Sequence, residues 1–267
     1  QVMREEAKKF LDNNISEKKL NYIIRRSISN LRKDIFEAWM IPACKKEDLK
    51  KVYYLVGKEH INAALAKGKG LIIIQTHFGF RKLILLALSY EGYTINQLAA
   101  KPTSWKVNME SMEAHNKVMD AEVVFEKALP AKIIYVEDSL RSVFTALKNN
   151  EIVVIALDGL VGGKRHNVKF LNRTANFSPT PVSLSVKTGA VVLPAFVVRK
   201  HDNRHEIIIE GPLMTDSAHG YEHVVQLFLE NYCRILEQYV LKFPCHYVDW
   251  FYRSRIWPVE DSLHIFQ

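Results

Sequence analysis

The chain has 267 residues, of which 48% are hydrophobic, and these suffice for one large domain with a sizeable core. A formal net charge of +8 indicates an acidic partner: nucleic acid, an acidic carrier protein or an anionic lipid surface. No apolar run approaches the roughly 20 residues of a membrane-spanning helix. The spacing of the three cysteines argues against a disulfide framework and against a zinc cluster.

Residues 1–51 show helical periodicity with many cations. The stretch "SEKKLNYIIRRSISNLRKDIFEAWM" opens with a capping signal at Ser16. Its apolar residues then recur at helical spacing: Leu20, Ile23, Ile24, Ile28, Leu31 and Ile35. Two interpretations remain open for this segment, a solvated helix docked on the core and a helix lying on a membrane surface.

From residue 52 onward, short β-branched runs alternate with helical patterns. The predicted strands are "VYYLV", "LIIIQT", "TINQLA", "EIVVIAL", "AVVLPAFVV" and "HEIIIEG". Helices are predicted at residues 80–90, 105–119, 137–148, 180–188 and 220–242. The alternation predicts an α/β fold with a central mixed, largely parallel sheet and crossover helices. We expect a single domain overall, in which the helical segment 1–51 packs on an α/β unit spanning 52–267.

Two titratable residues fall where predicted strands end. His77 follows "LIIIQT", and Asp158 follows "EIVVIAL". Ligands of open α/β sheets bind beyond the carboxyl ends of the strands, so we expect both side chains in one crevice. A histidine there is suited to general-base chemistry, although it can also be a structural, hydrogen-bonded residue. Asp158 can orient a histidine, cap a loop or pair with Lys164 or Arg165.

Several cations are candidates for substrate binding. Lys164 and Arg165 lie in the glycine-containing loop "VGGKRHNVKF", which can bind a phosphate or form a solvated turn. Lys101 and Arg81 are further candidates, and Arg81 is expected at the surface. The aromatic and basic stretch "HYVDWFYRSRIW" lacks a repeated stacking platform, so nucleic-acid binding is not expected.

These segments resemble the bacterial lipid A late acyltransferases, a branch of the lysophospholipid (glycerolipid) acyltransferase superfamily. The likeness covers most of the chain and follows one order: "RRSISNLRKDIFEAW", "ALAKGKGLIIIQTHFGF", "LKNNEIVVIALDG", "VKFLNRTANFSPTPVSLSVKTGAVVLPAF" and "PCHYVDWFYRSRIW". The resemblance implies an enzyme that moves an acyl group from the phosphopantetheine of an acyl carrier protein to lipid A. It implies no bound cofactor and no metal. It also places the protein on the cytoplasmic face of the bacterial inner membrane, with an N-terminal anchor that this chain would lack.

The resemblance makes His77 the general base and expects an orienting acid at position 82, which is lysine in this chain. In serine proteases, loss of the orienting carboxylate lowers the rate by roughly ten-thousandfold. Three options follow. Asp158 or Glu91 supports His77 instead, Lys82 holds a phosphate or the thioester oxygen, or the site is inactive. Lys82 can also simply face solvent or pair with an acid.

Within the resembled family, a missing acid is associated with the glycyltransferases of Vibrio lipid A modification, which take glycine from a dedicated carrier protein. Our leading hypothesis is therefore transfer of a carrier-bound glycyl or other acyl group to lipid A. Lys82, Lys164 and Arg165 would then meet phosphate groups of the lipid or the carrier. The alternatives are ordinary fatty acyl transfer to a lipid A or lysophospholipid hydroxyl, and a non-catalytic lipid-binding protein.

Overall fold

The computed structural model describes residues 1–11, 15–41, 44–101, 104, 113–159, 163–214, 220–256 and 264–267. The helices are α1 Val2–Phe10, α2 Glu17–Met40, α3 Lys46–Leu49, α4 Lys58–Leu65, α5 Leu83–Tyr90, α6 Glu113–Ala128, α7 Arg141–Lys148, α8 Thr180–Thr188, α9 Tyr221–Lys242 and α10 Val248–Ile256. The strands are β1 Tyr53–Val56, β2 Leu71–Gln75, β3 Ile95–Ala99, β4 Lys132–Tyr135, β5 Ile152–Ala156, β6 His166–Phe170, β7 Arg173–Phe177, β8 Val191–Arg199 and β9 His205–Ile209. A short 3-10 turn, Pro244–His246, connects α9 to α10.

The central sheet has the strand order β1-β9-β8-β2-β5-β3-β4. Its neighbouring strands are parallel except for the antiparallel β8–β9 pair, so β9 and β1 run in the direction opposite to the other five strands. Strands β6 and β7 form a separate antiparallel hairpin. The predicted mixed, largely parallel sheet with crossover helices and an N-terminal helical segment is confirmed.

Strand β2 lies at the centre of the sheet and is buried on both faces. Because side chains alternate along a strand, Ile72 and Ile74 enter one hydrophobic core while Leu71 and Ile73 enter the other. All four are fully buried. This explains why the strand is a continuous apolar run rather than an alternating one, and it fixes where the chain emerges at His77.

Most of the predicted elements form within a few residues of their expected bounds, but several were missed. The structure adds helices α4 and α10, strand β4 and the β6–β7 hairpin. The helix predicted at 105–119 is observed as Glu113–Ala128, and residues 105–112 lie outside the described part of the chain. Among the described residues, no helix has both the length and the apolar character that a membrane crossing requires.

Helix α2 docks on the C-terminal turn and on the edge of the sheet. Its cap forms as predicted, with the Lys19 backbone N–H donating to the Ser16 hydroxyl at 3.3 Å. Near its other end, the buried Arg199 guanidinium of β8 donates to the carboxylates of Asp34 and Glu37. The Glu37 carboxylate also lies 2.8 Å from Nε2 of His205 in β9. This charged network ties α2 to two strands.

The loop that follows β2 requires a glycine at position 79. Gly79 has φ +62°, and a Cβ atom built on it would lie 2.1 Å from the carbonyl oxygen of Val197 in β8. Its backbone N–H donates to the carbonyl of His246 at 2.9 Å. The loop is thus clamped between β8 and the C-terminal turn.

We expect Gly79→Ala to destabilise the protein by about 3 kcal/mol or more, because it combines a left-handed conformation with a backbone clash. Gly68→Ala is the matched control, since Gly68 has a similar φ of +66° and no atom within 4 Å of the added Cβ. The control should lose only about 1 to 2 kcal/mol. Urea unfolding of both variants measures the difference, and equal losses would contradict the clash.

Candidate active site

His77 and Asp158 meet beyond the carboxyl ends of two neighbouring parallel strands. His77 comes two residues after β2 and Asp158 two residues after β5. Nδ1 of the His77 ring lies 2.8 Å from Oδ1 of Asp158. The His77 backbone N–H also donates to the Asp158 carboxylate, at 2.8 Å to Oδ2 and 3.1 Å to Oδ1. Asp158 therefore holds both the main chain and the side chain of His77.

Tyr247 provides a further hydrogen bond to the same carboxylate. Its hydroxyl donates to Oδ2 of Asp158 at 2.8 Å, and both side chains are fully buried. Burial on its own raises the pKa of Asp158, but the His77 ring, the His77 backbone N–H and the Tyr247 hydroxyl outweigh it. The net pKa of Asp158 lies below its ordinary value. The carboxylate is therefore charged at neutral pH.

The other nitrogen of His77 accepts a hydrogen bond. A guanidinium N–H of Arg81 lies 3.1 Å from Nε2 of His77. Since a guanidinium only donates, Nε2 carries the lone pair and Nδ1 carries the proton that points at Asp158. The tautomer is the one that a general base requires, because the basic nitrogen is turned away from the orienting acid.

Trp250 of α10 packs flat on the His77 ring. The two ring centroids are 3.5 Å apart with an interplanar angle of 8°. The Arg253 guanidinium lies 5.2 Å from the centroid of the Trp250 ring. The imidazole is thus held in one orientation by stacking as well as by hydrogen bonds.

The electrostatics keep His77 neutral. Burial and the nearby Arg81 guanidinium together lower the pKa of His77 to about 4, against the opposing effect of Asp158. At neutral pH the ring is therefore an uncharged base. Protonation during a reaction would be stabilised by the Asp158 carboxylate 2.8 Å away.

Glu91 and Lys82 each form an ion pair with a residue other than His77. Glu91 lies 2.6 Å from Nζ of Lys58 and 3.9 Å from Nζ of Lys50, so it belongs to a separate ion-pair group. Nζ of Lys82 lies 3.7 Å from Oε1 of Glu126 in α6 and 5.0 Å from the centroid of the Phe125 ring. Lys82 is buried beside this acid and does not face solvent.

The remaining predicted cations are dispersed. Lys101 pairs with Asp138 at 2.7 Å and Lys164 with Glu222 at 3.1 Å, both at the surface. Arg165 donates to the backbone carbonyls of Gly159, at 2.5 Å, and Asn176, at 3.2 Å. Arg81, which is expected at the surface, is half-buried, and its guanidinium contacts the His77 ring.

A cavity of about 120 Å³ opens beside His77, between α2, the loop after β2 and the C-terminal elements. Arg81 and Lys82 line it together with His77, whereas its described lining does not include Lys101, Lys164 or Arg165. The other lining residues come from four elements: Ser27, Asn30, Leu31, Asp34, Ile35, Ala38 and Trp39 of α2, Gly79 and Phe80 of the loop, Phe125 of α6, and Cys245, His246, Asp249 and Arg253 of the C-terminal region.

Sequence reasoning missed the contribution of Tyr247 and Trp250. Both lie in the aromatic stretch "HYVDWFYRSRIW", which the sequence pattern relates only to base stacking and to the resembled family. Its signal was the clustering of aromatic residues in a segment without strand periodicity. Only the fold shows that this segment returns to the strand ends.

The fold and the site together define a class: an α/β enzyme whose histidine, oriented by a buried carboxylate, can take a proton from a hydroxyl at the carboxyl edge of a parallel sheet. Residues 10–254 match the model of the bacterial lipid A biosynthesis acyltransferase family. The chain therefore belongs to this family, and its membership indicates acyl transfer onto lipid A. A comparison with curated proteins gave no significant match.

A buried histidine next to the site makes the stability dependent on pH. Nε2 of His246 accepts the backbone N–H of Arg199 at 2.9 Å, and burial lowers the pKa of His246 to about 4 from 6.5. Between these two pH values the unfolded chain binds a proton at His246 that the folded chain does not bind. Stability therefore falls as the pH decreases from 6.5 towards 4, by up to about 1.4 kcal/mol per pH unit for this residue.

His246→Gln retains an acceptor for the Arg199 N–H. We expect it to reduce the slope of the unfolding free energy against pH by up to about 1.4 kcal/mol per pH unit. Urea unfolding at several pH values between 4 and 6.5 measures the slope. His201→Gln, at an exposed position, is the control and should leave the slope as in the wild type. An unchanged slope in His246→Gln would mean that His246 is charged in the folded protein.

Proposed function

We propose that the protein transfers a small acyl group, glycyl above all, from the phosphopantetheine thiol of a carrier protein to a hydroxyl of lipid A at the cytoplasmic face of the inner membrane. The observation that carries the proposal is the His77–Asp158 pair, with Nδ1 of the ring 2.8 Å from the carboxylate, at the edge of a cavity. Family membership supplies the acyl-transfer chemistry and the lipid A acceptor.

In the proposed reaction, Nε2 of His77 takes the proton of the acceptor hydroxyl. The oxygen attacks the thioester carbonyl, a C–O bond forms, and the C–S bond breaks. The departing phosphopantetheine thiolate then takes the proton back from the imidazolium, so no proton is lost or gained. Asp158 stabilises the transient imidazolium, and Trp250 keeps the ring plane fixed.

The size of the cavity supports a small donor group. An engineered protein cavity of about 150 Å³ holds benzene, and the cavity beside His77 is about 120 Å³. A glycyl group of a few heavy atoms fits such a space, whereas a long fatty acyl chain exceeds it and would extend outside the cavity. Fatty acyl transfer is the second candidate, and it depends on room for the chain beyond the cavity.

Acidic side chains in the cavity lining support an aminoacyl donor. Asp34 and Asp249 line the same cavity as His77, which also has lysine and arginine side chains in its lining, and we propose that these two acids meet the ammonium of a glycyl thioester. Burial raises the pKa of both, that of Asp34 to about 7, so a neighbouring ammonium would stabilise their charged forms. Each also pairs with an arginine, Asp34 with Arg199 and Asp249 with Arg253 at 2.9 Å. A fatty acyl chain offers no group that would replace the solvation of these carboxylates.

The Arg81 guanidinium donates a hydrogen bond to Nε2 of His77, so it has to move away before that nitrogen can take a proton from the substrate. We infer that an anionic group of the substrate, a phosphate of lipid A or of phosphopantetheine, attracts Arg81 away from the ring. Phosphate is a bidentate partner for arginine, and the charge-assisted bond is stronger than a bond to a neutral imidazole. Lys82 lies in the same lining and adds positive charge there, while Lys101, Lys164 and Arg165 are proposed to meet phosphates outside the cavity.

A transfer assay with three carrier-bound donors tests the proposed function. Glycyl, propionyl and dodecanoyl thioesters are offered with lipid A, and the modified lipid is measured by mass spectrometry. Glycyl should be transferred at least tenfold faster than propionyl, which has the same shape without the ammonium, and dodecanoyl should be transferred least. His77→Ala and Asp158→Asn should lower the glycyl rate by about 10³ to 10⁴ and Lys82→Ala by less, because it removes only a cation of the lining.

Glu91→Gln is the matched control for Asp158→Asn, since Glu91 is an acid that pairs with lysines and not with His77. It should keep the wild-type rate. Preferred transfer of dodecanoyl would establish the fatty acyl alternative in place of glycyl. Lipid A binding without any covalent product would instead establish a non-catalytic lipid-binding protein.

The Arg81→Ala variant tests the role of the guanidinium at Nε2. We expect the pKa of His77 to rise from about 4 and to stay below 6.5, because burial remains when the cation is removed. His77 must be neutral to act as a base, so the pH below which the transfer rate falls should move to a higher value. The KM for lipid A should rise more than kcat falls, since a phosphate contact is lost.

NMR titration of the His77 ring measures the pKa directly, and the pH dependence of the transfer rate measures its consequence. Arg234→Ala, at an exposed position of α9, is the control and should change neither. An unchanged pKa of His77 in Arg81→Ala would contradict the contact between the guanidinium and Nε2.

A further inference from the structure

The outward face of α2 exposes large apolar side chains in a helix that is otherwise docked on the protein. Tyr22 and Phe36 are each 61% exposed, and Trp39 is 59% exposed. Met40 is also exposed, at 46%. Soluble surfaces carry scattered apolar residues without consequence, but Phe36, Trp39 and Met40 lie within five residues of one another, a concentration that indicates a contact.

These side chains share one side of α2. At about 100° per residue, Tyr22, Phe36 and Met40 fall within a narrow sector of the helix. The residues that α2 buries against the protein lie on the opposite side: Leu20, Ile23, Ser27 and Asn30. The outward face is therefore not a continuation of the core, and packing within the described part of the chain does not account for its aromatic residues.

Cations lie on the same outward face, towards the N-terminal end of the helix. Lys18, Arg25 and Arg32 are all exposed and share the sector of Tyr22 and Phe36. From Lys18 to Met40 the helix is about 33 Å long, and the apolar residues Phe36, Trp39 and Met40 lie in its last turn and a half. The face is thus basic along most of its length and apolar at its C-terminal end.

The apolar end of this face adjoins the cavity. Trp39 is exposed to solvent and also lines the cavity that contains His77. The Arg199 network with Asp34 and Glu37 fixes the same end of α2 to the sheet. Whatever covers Trp39 therefore lies at the mouth of the candidate active site.

We propose that the outward face of α2 docks on an anionic phospholipid surface, with the aromatic end inserted and the cations over the headgroups. The proposal rests on the proposed function and names the surface through which the cavity receives its lipid. Helices that bind membrane interfaces typically combine Lys and Arg side chains with Trp and Phe side chains. The net charge of +8 adds to the attraction of the protein for an anionic surface. An acidic carrier protein would complement the cations but not the inserted aromatic end.

Vesicle co-sedimentation tests the docking with vesicles of phosphatidylethanolamine and phosphatidylglycerol, which contain neither lipid A nor donor. The wild type should bind these vesicles and bind phosphatidylcholine vesicles much less. Phe36→Ser combined with Trp39→Ser should weaken binding at least tenfold. The matched control is Leu227→Ser combined with Leu241→Ser, two exposed apolar residues of α9, which should leave binding unchanged.

The cations are tested separately. Arg25→Gln combined with Arg32→Gln should weaken binding about fivefold per arginine, and added salt should remove most of the difference from the wild type. Arg141→Gln combined with Arg234→Gln makes the same change in net charge at exposed positions of other helices and should have little effect. Thermal unfolding of every variant shows that the substitutions act on binding and not on folding.

The vesicle experiment measures no transfer, so a negative result there would leave the proposed function intact. Conversely, failure of transfer to detergent-dispersed lipid A would leave the docking proposal intact. Absence of wild-type binding to the anionic vesicles would overturn the docking. So would equal losses for the α2 and α9 variants. Loss of carrier-protein binding in the α2 variants, with normal vesicle binding, would assign the face to the carrier instead.

Discussion

The site depends on one buried carboxylate. Asp158 is fully inaccessible to solvent, and a charge in that position is tolerated only if it is fully hydrogen-bonded. The backbone and ring of His77 and the hydroxyl of Tyr247 satisfy it. These bonds join the ends of β2 and β5 to the C-terminal segment. Removing one partner would leave a buried charge incompletely paired, at a cost of about 3 to 5 kcal/mol.

The position of this carboxylate explains how the chain accommodates Lys82. The acid that orients His77 comes from the end of β5, so position 82 is free for another residue, and Lys82 pairs with Glu126 instead. The environment of His77 is then dominated by burial and by the cation Arg81, which keep the ring neutral. In the proposed reaction, an anionic group of the substrate would bind these cations and expose the lone pair of His77.

Helix α2 connects the site to its surroundings. Its inner side contributes Asp34 to the Arg199 network and to the lining of the cavity, while its outer side carries the exposed aromatic and basic residues. The two interpretations of the N-terminal segment, a docked helix and a membrane-surface helix, are therefore compatible. Under the proposed docking, they describe opposite faces of one helix.

Local periodicity in the sequence determined most of the elements, the parallel character of the sheet and the placement of His77 and Asp158 at strand ends, because these depend on neighbours a few residues apart. The elements β4, the β6–β7 hairpin and α10 were missed because their local patterns are weak. Which acid meets His77, and that Tyr247 and Trp250 join it, was decided only by the tertiary structure. Asp158 is 81 residues from His77, and Tyr247 is 89 residues from Asp158. Contacts over such separations depend on strand order and on the path of the C-terminal segment, which no local pattern encodes.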